Sequence, residues 1–213
     1  MNEFSGGFYR SWRKKRFDSI LNHYGKEFFQ DKTVLELAAA NGDLGNMFHE
    51  VGSKVTCFEG RQGNVDVLKE KYPHLDAHVV NLDEPTRLTE NKFDVVLHIG
   101  LLYHLLNMES SLVEAMKCCD HLILETEVMD SDVDGYFVTT EDHTRMTSSL
   151  DGVSTRPTNA MLKRIIEDNG FSIEYPENPK TINTHPYIYD WNPNNHGLLY
   201  GARILWFLRR NDD

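Results

Sequence analysis

The sequence predicts an α/β fold: a doubly wound, mostly parallel seven-stranded sheet with an antiparallel strand pair at its C-terminal end. Three observations predict it. Short apolar runs at Thr33–Leu37, 54–58, 77–80, 93–98 and 121–125 alternate with segments of helical periodicity. Those runs are nearly continuous, as in strands covered by helices on both faces. Two further runs, 171–175 and 202–209, have no helix between them, and such strands pair antiparallel when they are neighbours.

Taken in order, residues 8–28 place Phe8, Trp12, Phe17, Ile20, Leu21 and Tyr24 at the spacing of an amphipathic helix. Residues 1–31 are therefore expected to cap a single domain spanning 1–213. Helices are expected around 46–51, 65–71 (ending near Pro73) and 108–116, between the first five strands. The polar stretch 128–157 is too long for a mere connection and is expected to form a lid or substrate-facing insertion. A helix over 158–169 has Thr158 as its cap and Gly170 as its terminator. Residues 176–201, with prolines at 176, 179, 186 and 193, read as loop. In a sheet of this kind, ligands bind at the carboxyl ends of the strands.

Composition narrows the function classes. With 40% hydrophobic and 26% charged residues in 213, the chain has the makeup of an ordinary globular domain. It holds no apolar run long enough to span a membrane and no signal-peptide core near Met1, so a cytoplasmic location is expected. Cys57, Cys118 and Cys119 form no C-x-x-C pair, which argues against a disulfide framework and a structural zinc site; no metal is expected. The net charge of −11 opposes broad contact with nucleic acid phosphates. Arg10, Arg13, Lys14, Lys15 and Arg16 are the local exception. They form either a solvated helix face or a cover over the active site that meets an anionic substrate.

The chemistry is concentrated after the first strand, in Val34-Leu35-Glu36-Leu37-Ala38-Ala39-Ala40-Asn41-Gly42-Asp43-Leu44-Gly45. An acid closes the strand, small residues let a ligand approach the backbone, and the next helix offers free N–H groups. Glu36-x-Ala38-x-Ala40-x-Gly42 resembles the [DE]-x-G-x-G-x-G motif of class I S-adenosylmethionine-dependent methyltransferases. Alanine disfavours positive φ, so ordinary backbone angles are expected at 38 and 40. Glu59 ends the second strand in Cys57-Phe58-Glu59-Gly60, where a carboxylate can accept both hydroxyls of a ribose. The segment from Phe93 to Leu105 is similar to the family's strand-four pattern, FDVV…GLLYHL.

The resemblance implies S-adenosyl-L-methionine as cofactor, held by Glu36, Ala38, Ala40, Asn41, Gly42, Glu59, Gly60, Asn81, Leu82, Asp83, His98, Ile99 and Gly100. Asn81 or Asp83 would meet the adenine amine, and His98 to Gly100 the methionine side. Radical use of this cofactor is excluded, because three cysteines so placed cannot hold an iron–sulfur cluster. Residues 101–105 would pass beneath the reacting methyl group, with Tyr103 toward the acceptor. His104, Glu125, Glu127 and His143 are the candidate bases; His104 is alternatively structural, and Glu125 and Glu127 surface acids. Residues 152–158 look like the S-x-R-P-[ST] segment of some methyltransferase branches, in which Arg156 either holds an anionic group or pins the loop. A small polar acceptor is the leading expectation. An RNA-modifying enzyme and an inactive methyltransferase-like binding subunit are the alternatives. Ala40-x-Gly42-x-x-Gly45 approximates a dinucleotide fingerprint, but Glu36 preceding the loop and a helix preceding the first strand argue against a dehydrogenase.

Overall fold

The computed structural model describes residues 4, 6–84, 88, 90–129, 131–174, 188–189 and 202–212. The first helix, α1 (Gly7–Tyr24), stops at Gly25, whose φ of 82° suits glycine; a single 3-10 turn, Glu27–Phe29, follows. The helical span expected to run to 28 is therefore broken at Gly25. Then come β1 (Thr33–Leu37), α2 (Asp43–Glu50), β2 (Lys54–Glu59), α3 (Gln62–Lys71), β3 (Asp76–Val79) and β4 (Phe93–Ile99). The chain continues through a 3-10 turn (Leu102–His104), α4 (Met108–Lys117), β5 (Cys119–Val128), β6 (Tyr136–Thr140) and β7 (Val153–Pro157). It closes with α5 (Asn159–Asp168), β8 (Phe171–Glu174), β9 (Ile188–Tyr189) and β10 (Ala202–Arg210). Thr158 caps α5 as expected, its hydroxyl accepting the Met161 N–H at 3.2 Å. The loop expected over 176–201 lies outside the described residues apart from Ile188–Tyr189.

The strand order is β3-β2-β1-β4-β5-β10-β8, with β9 pairing β10 off this path. The pairings of β1 to β5 are parallel, and β10 runs antiparallel to both β5 and β8. The chain steps outward from β1 to β3, then returns across β1 to lay down β4. The switch point between β1 and β4 is where such sheets open a crevice. Because β10 is reversed, its first residues reach the edge at which β1, β2, β4 and β5 end. This brings Arg203 opposite Glu127.

Alternation along each strand divides the core into two layers. Leu35, Leu37, Val96, Leu122 and Leu124 pack with Leu112 of α4 and Leu162 of α5. Val34, Val95, Leu97, Ile99 and Ile123 pack with Ile20, Phe48 and Leu68 of α1, α2 and α3. The polar stretch after β5 is an antiparallel ribbon, β6 against β7, separate from the main sheet. No helix among the described residues is long and apolar enough to cross a membrane.

Candidate active site

At the switch point lies a crevice of about 1230 Å³, its open mouth included. One side is built from the turns after β1 and β2. Ala38, Ala40 and Gly42 all have positive φ (56°, 49° and 75°), so the loop alternates left-handed residues. The sequence-based expectation of ordinary angles at the two alanines is overturned. Neighbouring contacts impose the strain: the Ala39 N–H donates to Phe58 O at 3.1 Å, and the Ala40 N–H donates to Glu59 Oε2 at 2.9 Å. A left-handed alanine costs about 1–2 kcal/mol.

Glu36 and Glu59 sit on either side of this loop. Glu36 is buried beside the first turn of α2, and a Cβ on Gly45 would come within 2.6 Å of its Oε2, so glycine is needed there. Burial pushes the Glu36 carboxyl up to about 8, against the pull of the Gly45 amide and the Cys57 thiol. Glu59, 7% exposed, also accepts the N–H of Arg61 at 3.0 Å and the amide of Asn64 at 3.2 Å, both on Oε1. A carboxylate offers about four acceptor sites. Three are filled by the chain, which leaves one on Oε2, and Glu59 lines the crevice.

Asn41 also lines the crevice; its Oδ1 is buried without a partner among the described residues. Gly60 is pressed by Leu150, and a Cβ there would lie 2.9 Å from Cδ1. Asn81, Leu82 and Asp83 reach the crevice, but both polar side chains are already engaged. Asp83 accepts the N–H groups of Leu106 (3.0 Å) and Asn107 (2.6 Å), and Asn81 donates to Glu84 at 3.1 Å. Ile99 and Gly100 line it, with Gly100 against the ring of Trp12 from α1.

His98 does not line it. It shares its face of β4 with Val96, turned away from that of Ile99, and is fully buried with neither ring nitrogen partnered among the described residues. Burial lowers its pKa to about 4. Successive strand residues cannot all face one crevice.

The far wall is a chain of ion pairs. Arg16 of α1 reaches Glu125 Oε1 at 2.7 Å; Arg203 bridges Glu125 (3.0 Å) and Glu127 (2.9 Å); Arg156 reaches Glu127 at 2.6 Å. Arg203 also donates to the Tyr103 hydroxyl at 3.0 Å. The Tyr103 ring meets both guanidinium groups, with Arg203 4.7 Å and Arg156 5.0 Å from its centroid. Glu125 is therefore sealed behind arginines rather than open at the mouth, fully buried with its charge matched by two cations. Glu127 is committed likewise. Arg156 donates to Tyr103 O and Thr155 O as well, so it pins the loop. His143 is exposed and outside the crevice, its backbone carbonyl held by Arg61 at 3.2 Å.

His104 does line the crevice, its Nδ1 2.6 Å from Glu141 Oε2. The roof is residues 146–150, with Phe4, Phe8, Tyr9 and Trp12 from the N-terminal segment. Arg61 holds that roof through the carbonyls of His143, Arg145, Ser148 and Ser149, at 3.2 to 3.3 Å. Of the N-terminal cations, Arg13 pairs with Asp43 at 3.3 Å and Arg16 is wholly buried, so Arg10 and Lys14 are the exposed ones. Arg61, Glu141 and Arg203 were not singled out from sequence for the site. One had a signal: Arg203 shares its face of β10 with the inward Leu205 and Phe207.

Comparison with solved structures speaks to the fold. Magnesium protoporphyrin IX methyltransferase from Synechocystis PCC 6803, with bound S-adenosylmethionine, is similar at TM-score 0.67 and 14% identity, covering 99% of this chain and 85% of its own. The N-terminal domain of EvdMO1 with bound S-adenosylhomocysteine is similar at TM-score 0.67 and 16% identity, covering 95% of this chain and 81% of its own. The fold is that of the class I methyltransferases. A third member of that fold, the Burkholderia thailandensis 1,6-didemethyltoxoflavin-N1-methyltransferase, matches at TM-score 0.58 and 16% identity, covering 93% of this chain and 78% of its own. No protein-family model matches the chain, and no curated protein does.

Proposed function

We propose that the protein is an S-adenosylmethionine-dependent methyltransferase acting on an O or N atom of a small-molecule acceptor. The observation that carries this reading is Glu59: a buried carboxylate fixed by three N–H groups, lining the crevice with one acceptor site still open. The residues present fit the cofactor. Glu59 would take a ribose hydroxyl, the unpartnered Oδ1 of Asn41 would take a donor such as an ammonium group, and the loop at 38–42 leaves no long side chain in the way. When bound, S-adenosylmethionine supplies a methyl group already activated by a positive sulfur. The chain's own task is then alignment and exclusion of water, for which the roof at 146–150 and the rings of Phe8, Tyr9 and Trp12 are placed.

A small acceptor suits a roofed crevice, and the inward ion pairs of Arg13 and Arg16 remove two cations from the surface patch that an RNA substrate would use. Calorimetry with S-adenosylhomocysteine tests the proposal. The wild type should bind. Glu59→Ala should weaken binding about 10- to 100-fold, as for hydrogen bonds to a charged group. Absence of wild-type binding, or unchanged affinity in the variant, would sink the reading.

A further inference from the structure

His104 ends the 3-10 turn after β4, half-buried in the crevice wall. Glu141, at the end of β6, approaches its Nδ1 to 2.6 Å. The same carboxylate accepts the Ser149 N–H at 2.9 Å on Oε2 and lies 3.5 Å from Arg156 on Oε1. Burial alone would raise the Glu141 pKa, but the His104 contact, the Ser149 amide and Arg156 outweigh it and hold it down to about 2. An ionised carboxylate only accepts hydrogen bonds, so the hydrogen of this contact belongs to Nδ1. In the neutral ring, Nε2 is then the bare acceptor.

We propose that His104 is the proton acceptor for a hydroxyl carried on an aromatic ring, with Glu141 as the residue that positions it. This rests on the methyltransferase reading above. A neutral amine attacks with a lone pair already in place, whereas a hydroxyl must surrender its proton as it attacks, and a base is useful there. The flat walls of Phe8, Tyr9, Trp12 and Tyr103 suit an aromatic body; the Tyr103 ring lies 4.1 Å from that of His104, centroid to centroid. In the step, the acceptor's O–H bond breaks and its proton forms an N–H bond at Nε2. The oxygen's freed pair makes the new bond to the methyl carbon, and the pair of the old carbon–sulfur bond leaves with sulfur. The charged group in contact with His104 is Glu141; Arg156 of β7 meets Glu141 and the Tyr103 ring, and Arg203 of β10 meets Tyr103, its charge answered by Glu125 and Glu127.

The test uses the full chain with S-adenosylhomocysteine bound. Nitrogen-15 NMR of the His104 ring should show hydrogen on Nδ1 and a bare Nε2, and Glu141→Gln should weaken that preference. Methyl transfer from labelled S-adenosylmethionine to phenol, 4-nitrophenol and aniline supplies the second readout. His104→Ala should cut phenol methylation about 100-fold or more. It should affect 4-nitrophenol far less at mildly alkaline pH, because that hydroxyl ionises unaided. Glu141→Gln should show a smaller loss of the same pattern, partly restored in Glu141→Asp. Hydrogen on Nε2, equal losses on both phenols, methylation of aniline alone, or no methylated phenol overturns the proposal. Binding of S-adenosylhomocysteine to the wild type separates the two failures: without it the methyltransferase reading falls, and with it only the base and acceptor assignment does.

Discussion

The two sides of the crevice are polar in opposite ways. The turns after β1 and β2 carry acids that meet backbone N–H groups and keep acceptor capacity in hand, on a loop strained at Ala38 and Ala40. The wall formed by β5, β7 and β10 carries acids that meet arginines, each carboxylate bridged to the next. One side is left chemically unsaturated for a ligand to complete. The other is complete in itself and serves as a rigid face. Charge at a site therefore does not mark chemistry; unfilled bonding capacity does.

The largest effect should come from breaking the closed side. Arg203→Met leaves Glu125 and Glu127 short of a buried partner and should cost about 3–5 kcal/mol of stability, read by urea unfolding. Glu59→Gln, on the open side, should cost far less in the same measurement. Comparable losses from both would erase the contrast.

Titration should sharpen the contrast next. The folded protein keeps the Glu36 proton up to about pH 8, whereas the unfolded chain releases it near 4.5, so stability falls as pH rises through that window. From about pH 6.5 to about 8 this contribution should ease from about 1.4 to about 0.7 kcal/mol per pH unit, and Glu36→Gln should flatten it. His98 acts with the opposite sign. Its folded pKa of about 4 lies below the unfolded 6.5, so stability is lost as pH falls between them, and His98→Leu should reduce that acid-side loss. Stability measured across pH in the two variants checks both signs.

The smallest effect tests the strained loop. Ala40→Gly releases about 1–2 kcal/mol of left-handed strain and gives back about 0.4–1 through a freer unfolded chain. A net gain of about 0.5–1 kcal/mol in thermal unfolding is expected. A loss would mean that the alanine methyl packs more favourably than its backbone angle costs.

The open side was legible in the sequence because its parts are local. Glu36, Gly42 and Glu59 fall at strand ends and turns that periodicity locates, and the parallel order of β1 to β5 follows from alternation with helices. The closed side joins Arg16 to Glu125 across 109 positions and Arg203 to Tyr103 across 100, which no local pattern encodes. The misreading at Ala38 and Ala40 has the same origin. Propensity favours ordinary angles there, but bonds to Phe58 and Glu59, supplied by the next strand, decide otherwise. His98 was misplaced for a simpler reason: strand alternation was not applied to three successive residues.

Arg61 connects the two sides. From the turn that carries Glu59, one guanidinium grips carbonyls 82 to 88 positions further along the chain. The ceiling thus hangs from the turn that carries Glu59. Lifting that ceiling therefore means breaking four carbonyl contacts at a single side chain, so one residue sets how readily it moves.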